Sequence, residues 1–287
     1  MDNCGPADPF SCKKQRGSNL MFKKFLLQFF LFLLIAGLLW LGIRQINLYK
    51  AARIDERIEK LEERLGDLFL NIFAQQHRQI TEPEVHEYLE YLTSEIFQKN
   101  NIDRESIDIY LLRSKTVNAF ALPGRNIILL SGLIDYTETP EQLIGVIAHE
   151  IAHLEADHVM KKLSREVGIA VLLAAVSGNY NMELLREVAK LIASNSYSRA
   201  IETEADLMAM EYMINAGINP RGLIDLFKRF GEDFDILPSE LQWLGTHPAS
   251  EDRANQLKKK LEELAHTDFK VFDAEEWEQF KERLENP

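Results

Sequence analysis

The stretch TPEQLIGVIAHEIAHL, from Thr139 to Leu154, decides the fold of this chain. It opens with a capping threonine, a proline suited to the first helical position and a glutamine in the place that a capping box requires, so it predicts a helix. Apolar residues then occupy every side of that helix, which indicates that the helix is buried. His149 and His153 are four residues apart, and therefore lie on one face of it about one turn apart.

Two imidazoles and a carboxylate inside such a helix predict a metal site. Buried histidine and glutamate side chains are costly unless they are paired or bound to an ion. The nitrogens of His149 and His153 can converge on one cation, and the Glu150 carboxylate can take a proton from a water bound there. A pair of ordinary core histidines is the alternative. The pattern favours one zinc ion per chain, with Glu150 as the catalytic acid/base.

A second helical pattern supplies the remaining ligand. Catalytic zinc usually has three protein ligands and one open position. The segment NSYSRAIETEADLMAMEYMINAG, which ends at Gly217, places Glu202 and Asp206 four residues apart on one face. Glu202 is predicted to bind the metal, and Asp206 to accept a hydrogen bond from the free ring nitrogen of a ligating histidine. Glu204 points to another side of the helix and is excluded, and an exposed charged face is the alternative for the whole segment.

The segment FLLQFFLFLLIAGLLWLGI, residues 25–43, predicts a transmembrane anchor. It is long enough to cross the hydrocarbon core, which needs about 20 residues. A cleaved signal peptide is the alternative. Residues 1–24 then form an N-terminal tail on the inner side, and the large domain is translocated. In a bacterium this predicts an inner-membrane protein with its catalytic domain in the periplasm; the mitochondrial inner membrane is the alternative.

Composition limits the kind of partner and the kind of ligand. The formal net charge is −12, and the basic residues are dispersed, which argues against nucleic acid as a partner. Both cysteines, Cys4 and Cys12, lie in the N-terminal tail, so the catalytic body depends on neither a disulfide nor a thiolate ligand. Met21 opens a sequence that reads like the start of a signal anchor, and residues 1–20 are therefore expected to be an over-extended gene start.

The rest of the chain predicts an α+β body dominated by helices. β-like runs at residues 107–112 and 126–131 flank a proline-glycine turn signal and predict a small sheet. The remaining segments are a juxtamembrane amphipathic helix at 44–65, the metal-binding domain at 66–265 and a C-terminal helical tail at 266–287. The tail is expected to dock through Trp277, Phe280 and Leu284. Coiled-coil pairing of the amphipathic helix stays open, and so does the oligomeric state.

Four motifs together resemble the HtpX, BepA and CAAX prenyl protease type of zinc metallopeptidase, peptidase family forty-eight of the gluzincin group. The motifs are NAFALPG at 118–124, HEIAHLEADH at 149–158, SRAIETEAD at 198–206 and THPASEDR at 246–253. The likeness covers roughly Leu65 to Leu264. With one predicted span in place of four or more, the chain is most similar to the single-anchor BepA-like branch.

The resemblance implies a zincin-like metallopeptidase domain and assigns roles to its residues. These are zinc binding by His149, His153 and Glu202, acid/base catalysis by Glu150 and support of a ligand by Asp206. It also singles out His247 of the THP motif, either as a reversible fourth ligand that holds a latent state or as a stabiliser of the reacting carbonyl oxygen. The family often has a second glycine after NAFALPG; here that residue is Arg125, which leaves the shape of the turn open.

The anchor and the metal site predict a membrane-anchored metalloendopeptidase, and the resemblance implies that it acts in protein quality control. Its partners are expected to be unfolded or misassembled membrane or envelope polypeptides. An extended substrate could add a strand to an exposed sheet edge, since backbone pairing demands little of sequence. The residues expected at that edge are Asn126, Ile127, Ile128, Leu129 and Leu130. The alternatives are a largely non-proteolytic chaperone or adaptor with a latched zinc site, and a tethered scaffold with an accidental HExxH.

Overall fold

The computed structural model describes residues 26–35, 37, 54–168, 171–172, 174, 182–194, 196–233, 241–248, 251–263 and 268–285. The chain divides into two units, Met1–Ile58 and Glu59–Pro287. In chain order the elements are α1 (Ile54–Gln76), α2 (Pro83–Lys99), β1 (Asp108–Leu112), β2 (Ala119–Leu122), β3 (Asn126–Leu130), α3 (Ser131–Tyr136), α4 (Pro140–Glu155), α5 (His158–Glu166), α6 (Met182–Ser194), α7 (Arg199–Asn215), α8 (Arg221–Asp233), α9 (Trp243–Thr246), α10 (Glu251–Glu262) and α11 (Ala274–Glu285).

Part of the predicted anchor is visible in the first unit. Residues 26–35 are helical, and their large apolar side chains are exposed. The rest of the anchor, apart from residue 37, lies outside the described residues, and so does the N-terminal tail. Over the part of the chain that the structure describes, none of the helices combines the length and the apolar character that a membrane crossing requires.

Three strands form one mixed sheet in the order β1-β3-β2. β3 pairs in parallel with β1 and antiparallel with β2. The prediction of an exposed edge at Asn126–Leu130 is therefore wrong, because this strand has a neighbour on each side. Its residues Asn126, Ile127, Ile128, Leu129 and Leu130 are all buried. An unbroken apolar run is typical of a strand that is covered on both faces, and this signal favoured the centre of the sheet.

The segment between the two predicted strands contains the third strand, β2, and a tight turn. Gly124 and Arg125 in this turn have φ values of 71° and 56°. This left-handed conformation suits glycine, whereas it costs an arginine about 1–2 kcal/mol. The guanidinium of Arg125 pairs with Glu155 and donates to the carbonyl of Ser106 at 3.2 Å. These contacts offset the strain at the position where the family often has a second glycine.

α4 lies at the centre of the second unit. Residues 142–154 are all buried, in agreement with the apolar groups on every side of this helix. Its first turn contains Pro140, and the side chain of Gln142 accepts a hydrogen bond from the backbone N–H of Glu138 at 2.9 Å, whereas the hydroxyl of Thr139 makes no cap. α7, α8 and β2 pack against α4. Because α4 is central, side chains from several neighbouring elements can contact its two histidines.

The helices α1 and α11 pack through apolar stripes. In the part of α1 that belongs to the second unit, the buried apolar residues include Leu61, Leu65 and Ile72. In α11 they are Trp277, Phe280 and Leu284, each 1% exposed. The aspartate that precedes α11 accepts backbone hydrogen bonds from two residues of its first turn, at 2.7 and 3.2 Å. The predicted docking of the C-terminal helix through these three residues is therefore confirmed.

Candidate metal centre

α4 and α7 bring together the three predicted ligands. His149 and His153 lie on one face of α4 with their Nε2 atoms 3.0 Å apart. Glu202 lies in the first turn of α7, a helix whose N-terminus is capped by the hydroxyl of Ser198. The carboxylate oxygens of Glu202 lie 3.6 Å from the Nε2 atoms of the two histidines. All three side chains are at most 1% exposed, so the cluster is shielded from solvent.

His247 completes the cluster. It follows the short helix α9, and its backbone N–H donates to the carbonyl of Trp243 at 2.7 Å. Its ring stacks on the indole of Trp243 with the centroids 4.8 Å apart. Nδ1 of His247 lies 3.1 Å from both Nε2 of His149 and Oε1 of Glu202. The histidine of the THP motif is therefore one of the groups that face a common centre.

The donor set fits a metal ion. His149, His153, Glu202 and His247 each offer one ligand atom, and these atoms all lie within 4.8 Å of one another. Around a zinc ion with ligands at about 2.0–2.1 Å, tetrahedral neighbours are about 3.3–3.4 Å apart. The close contacts in the cluster, from 3.0 to 3.6 Å, bracket that spacing. Imidazole nitrogens and carboxylate oxygens are also the chemical groups that bind zinc in catalytic sites.

Asp206, which was predicted to support a ligand, lies behind His149. Its Oδ1 is 3.0 Å from Nδ1 of His149, which is within hydrogen-bonding distance. Arg253 of α10 donates to both oxygens of Asp206 at 2.6 and 2.7 Å, and its Nη1 lies 2.9 Å from Oε2 of Glu202. Burial would raise the pKa of Asp206, but Arg253 and His149 hold that pKa below its usual value of 3.8.

The two histidines of α4 have different electrostatic surroundings. Burial lowers the pKa of His149, but the hydrogen-bonding carboxylate of Asp206 and the charge of Glu202 outweigh it, so the pKa is raised above 6.5. Burial and the neighbouring His149 hold the pKa of His153 well below 6.5. These surroundings favour the neutral form of His153, which is the form of the ring that binds a metal.

Glu150 faces the cluster with one free oxygen. Its Oε2 accepts a hydrogen bond from the backbone N–H of Ala121 in the edge strand β2, at 2.8 Å. Its Oε1 lies 3.4 Å from Nε2 of His247 and accepts no hydrogen bond from any residue that the structure describes. The sheet thus fixes one oxygen of this buried carboxylate, and the other oxygen is available for proton transfer beside the cluster.

Residues 80–261 match the family described as Peptidase family M48. This match covers more than half of the chain. The chain belongs to peptidase family M48. The resemblance predicted from the four motifs is confirmed, and the family is one of peptidases.

Curated relatives of this M48 chain have protease names. The mitochondrial metalloendopeptidase OMA1 of Schizosaccharomyces pombe is 30% identical over 158 residues, which cover 54% of this chain and 47% of the relative. The beta-barrel assembly-enhancing protease of Yersinia pestis is 22% identical over 215 residues, covering 71% and 44%. The metalloprotease LoiP of Escherichia coli is 29% identical over 168 residues, covering 56% and 66%. The chain spans about half the length of the first two. The predicted BepA-like branch is supported by these names.

Two side chains around the M48 centre were not given a role from the sequence. Arg253 belongs to a quoted motif, but an isolated arginine in a charged helix resembles a surface residue. The ring of Tyr197 stacks on His153 with the centroids 4.2 Å apart, and Nζ of Lys162 lies 4.3 Å from the centre of that ring. Tyr197 directly precedes the serine that caps α7, and this neighbourhood was the signal that could have identified it. Glu204 lies outside the group of ligand atoms.

Proposed function

We propose that this chain is a zinc-dependent metalloendopeptidase that hydrolyses peptide bonds. The observation that carries the proposal is the free oxygen of Glu150 beside a buried cluster of imidazoles and a carboxylate. His149, His153 and Glu202 would hold the ion. Zinc, when bound, supplies a Lewis acid that polarises the scissile carbonyl and acidifies water.

Glu150 is the proton-transfer group of this proposal. Its Oε1 takes a proton from the attacking water and later returns it to the amine nitrogen of the leaving peptide. The hydrogen bond from Ala121 holds the carboxylate in place, so that Oε1 stays directed at the centre. General acid–base catalysis of this kind contributes about 10²–10⁴-fold to a rate.

A second function is favoured by the position of His247. Its Nδ1 stands where a fourth ligand would stand, in contact with His149 and Glu202, and its side chain is 1% exposed. In this arrangement a substrate reaches the centre only after His247 has moved. A chain that stayed in this state would bind polypeptides as a chaperone or adaptor and cleave them rarely.

Purified full-length protein loaded with zinc tests the main proposal. Wild type is expected to cleave a denatured polypeptide such as unfolded casein, and Glu150→Gln to lose about 10²–10⁴-fold of the rate while it keeps its zinc. The matched control is Glu155→Gln, on the same helix but in a surface pair with Arg125, which is expected to cleave normally. Cleavage by Glu150→Gln at the wild-type rate contradicts the proposed chemistry.

The variant His247→Ala separates the two functions. If His247 latches the centre, its removal accelerates cleavage of casein. If His247 assists the reacting carbonyl, its removal slows cleavage while zinc stays bound. A wild-type protein that retains zinc but cleaves nothing until His247 is removed supports the chaperone or adaptor function.

The cellular setting is also part of the proposal. We infer that residues 25–43 anchor the chain in a bacterial inner membrane, with the catalytic domain in the periplasm. Support comes from the exposed apolar side chains of the helical residues 26–35, among them Leu27 at 71% and Phe32 at 68%. Extraction of membranes with alkaline carbonate is expected to leave the chain in the pellet, and protease added to spheroplasts to degrade the domain. Release by carbonate contradicts the anchor.

Misfolded or misassembled envelope proteins are the proposed substrates. The support is the names of the relatives, one of which describes a protease that enhances beta-barrel assembly. Proteomes of cells that carry wild-type or Glu150→Gln protein are expected to differ in polypeptides that accumulate on, or stay bound to, the inactive variant. An unchanged envelope proteome contradicts this substrate class but does not contradict the proposed peptidase chemistry.

A further inference from the structure

The second ring nitrogen of His153 needs a partner. Its Nε2 faces the cluster, so a neutral His153 that binds a metal through Nε2 carries its proton on Nδ1. Histidine ligands almost always donate this second N–H to an acceptor that fixes the tautomer and the ring orientation. Asp206 is placed for this role at His149. At His153, the atom that faces Nδ1 is Nδ1 of His158, at 3.1 Å.

The turn between α4 and α5 holds His158 in this position. Asp157 in the turn has a φ of 55°, a left-handed conformation that is uncommon for residues other than glycine, although aspartate adopts it more often than most. α5 begins directly after the turn, and Nδ1 of its first residue lies 3.1 Å from Nδ1 of His153. His158 is 2% exposed, and its ring centroid lies 5.1 Å from that of His153. A polar ring is thus buried against a ligand by a strained backbone.

Glu204 determines which nitrogen of His158 carries the proton. Nε2 of His158 lies 3.4 Å from Oε2 of Glu204. A neutral imidazole has one donor and one acceptor, whereas an ionised carboxylate only accepts. His158 therefore presents its N–H to Glu204 and its lone pair to the Nδ1–H of His153. The side chain of Glu204 is 60% exposed, so the contacts lead from a buried ligand to the surface.

We propose that His158 is a positioning residue that fixes the tautomer and orientation of the zinc ligand His153, and that Glu204 fixes His158 in turn. The inference rests on the proposed function, because it requires His153 to bind zinc through Nε2. The two ligand histidines then have different supports. His149 is supported by the carboxylate of Asp206, which accepts hydrogen bonds from Arg253, whereas His153 is supported by the neutral ring of His158.

Zinc affinity, measured by competition with a chelator on the full-length protein in detergent, tests this role. His158→Ala is expected to weaken zinc binding about 10–100-fold, as loss of such partners does elsewhere. His158→Asn is expected to restore most of the affinity, since its amide oxygen can accept at the place of Nδ1. Val159→Ala, a buried neighbour on α5, removes packing but no ring nitrogen; it is expected to lower the melting temperature and leave zinc affinity unchanged. Equal affinity in His158→Ala and wild type overturns the proposal.

Nitrogen-15 spectra of histidine-labelled, zinc-loaded protein give a second readout, which a purely structural role would not move. His158 is expected as the Nε2–H tautomer, with Nδ1 shifted as a hydrogen-bond acceptor. The Nδ1–H tautomer overturns the proposal. Zinc that is lost in His153→Ala but bound with wild-type affinity by His158→Ala overturns the positioning role alone. A wild-type protein that binds no zinc overturns the proposed function, and the positioning role with it.

Discussion

Replacing Arg253 with methionine tests whether one buried cation holds the metal centre together. The guanidinium donates to both oxygens of Asp206 and lies 2.9 Å from Glu202, and it is 4% exposed. Methionine keeps an apolar side chain of similar length against Phe227, whose ring centre lies 4.8 Å from the guanidinium carbon. What is lost is the charge, which leaves two buried carboxylates without the cation that contacts both of them.

The expected loss of stability is large. Removal of one partner from a buried ion pair costs about 3–5 kcal/mol. For a domain of the size of the second unit, 1 kcal/mol corresponds to about 2–4 °C in melting temperature, so the metal-free protein should melt about 6–20 °C lower. With zinc bound the loss should be smaller, because the ion supplies positive charge to Glu202 directly and to Asp206 through His149.

Thermal unfolding of chelator-stripped and zinc-loaded protein, followed by circular dichroism, measures both values. Arg221→Met is the matched control, since Arg221 is 70% exposed and its pair with Asp225 at 3.7 Å lies on the surface of α8. Such a pair contributes about 0–1 kcal/mol. The electrostatic account of Arg253 is wrong if chelator-stripped Arg253→Met and Arg221→Met have the same melting temperature. It is also wrong if zinc does not reduce the loss of melting temperature in Arg253→Met.

Three further outcomes are expected. In α8, a Cβ at Gly222 would lie 2.7 Å from the backbone carbonyl carbon of Glu141, whereas one at Gly231 meets nothing within 4 Å. In urea unfolding, Gly222→Ala should lower the free energy of unfolding by about 1–3 kcal/mol. Gly231→Ala should raise it by about 0.5–1 kcal/mol. Burial raises the pKa of Tyr136 from 10.0 to about 12, and its hydroxyl donates a hydrogen bond to the carboxylate of Asp233. Its contribution to stability is therefore complete below pH 10.0 and lost as the pH rises toward 12, and the alkaline decline should be shallower in Tyr136→Phe. Chelation of the metal should lower the melting temperature and added zinc restore it, an effect that calorimetry should find abolished in His149→Ala.

Helical spacing predicted the parts of the site that one helix can specify. His149 and His153 share a face because they are four residues apart, and the same spacing places Glu202 and Asp206 on α7. That α4 and α7 face each other does not follow from spacing. It followed from the chemistry, since catalytic zinc needs a third ligand and the motifs offered Glu202 for it.

Features that depend on tertiary packing were missed or mistaken. Arg253 is 47 residues away from Asp206 in the chain, and its local pattern is that of an exposed charged helix. His158 contacts His153 across a turn in which Asp157 is left-handed, and helical spacing does not predict that contact. The edge was placed on β3 because β2 is short and half alanine, a composition with little β-propensity, so the turn region around it looked like a connection.

The buried charged side chains are concentrated around the metal centre. Among the described residues, the charged side chains that are buried are Glu150, Lys162, Glu202, Asp206 and Arg253. All of them touch the metal centre or the tyrosine ring that stacks on His153, and the rest of the core is apolar or uncharged. Burying a charge is expensive, so a fold selected only for stability would have no reason to concentrate charges in one place. Three carboxylates against two cations leave the centre negative, and a divalent cation reverses that imbalance. The stability of the domain and its metal occupancy should therefore rise and fall together.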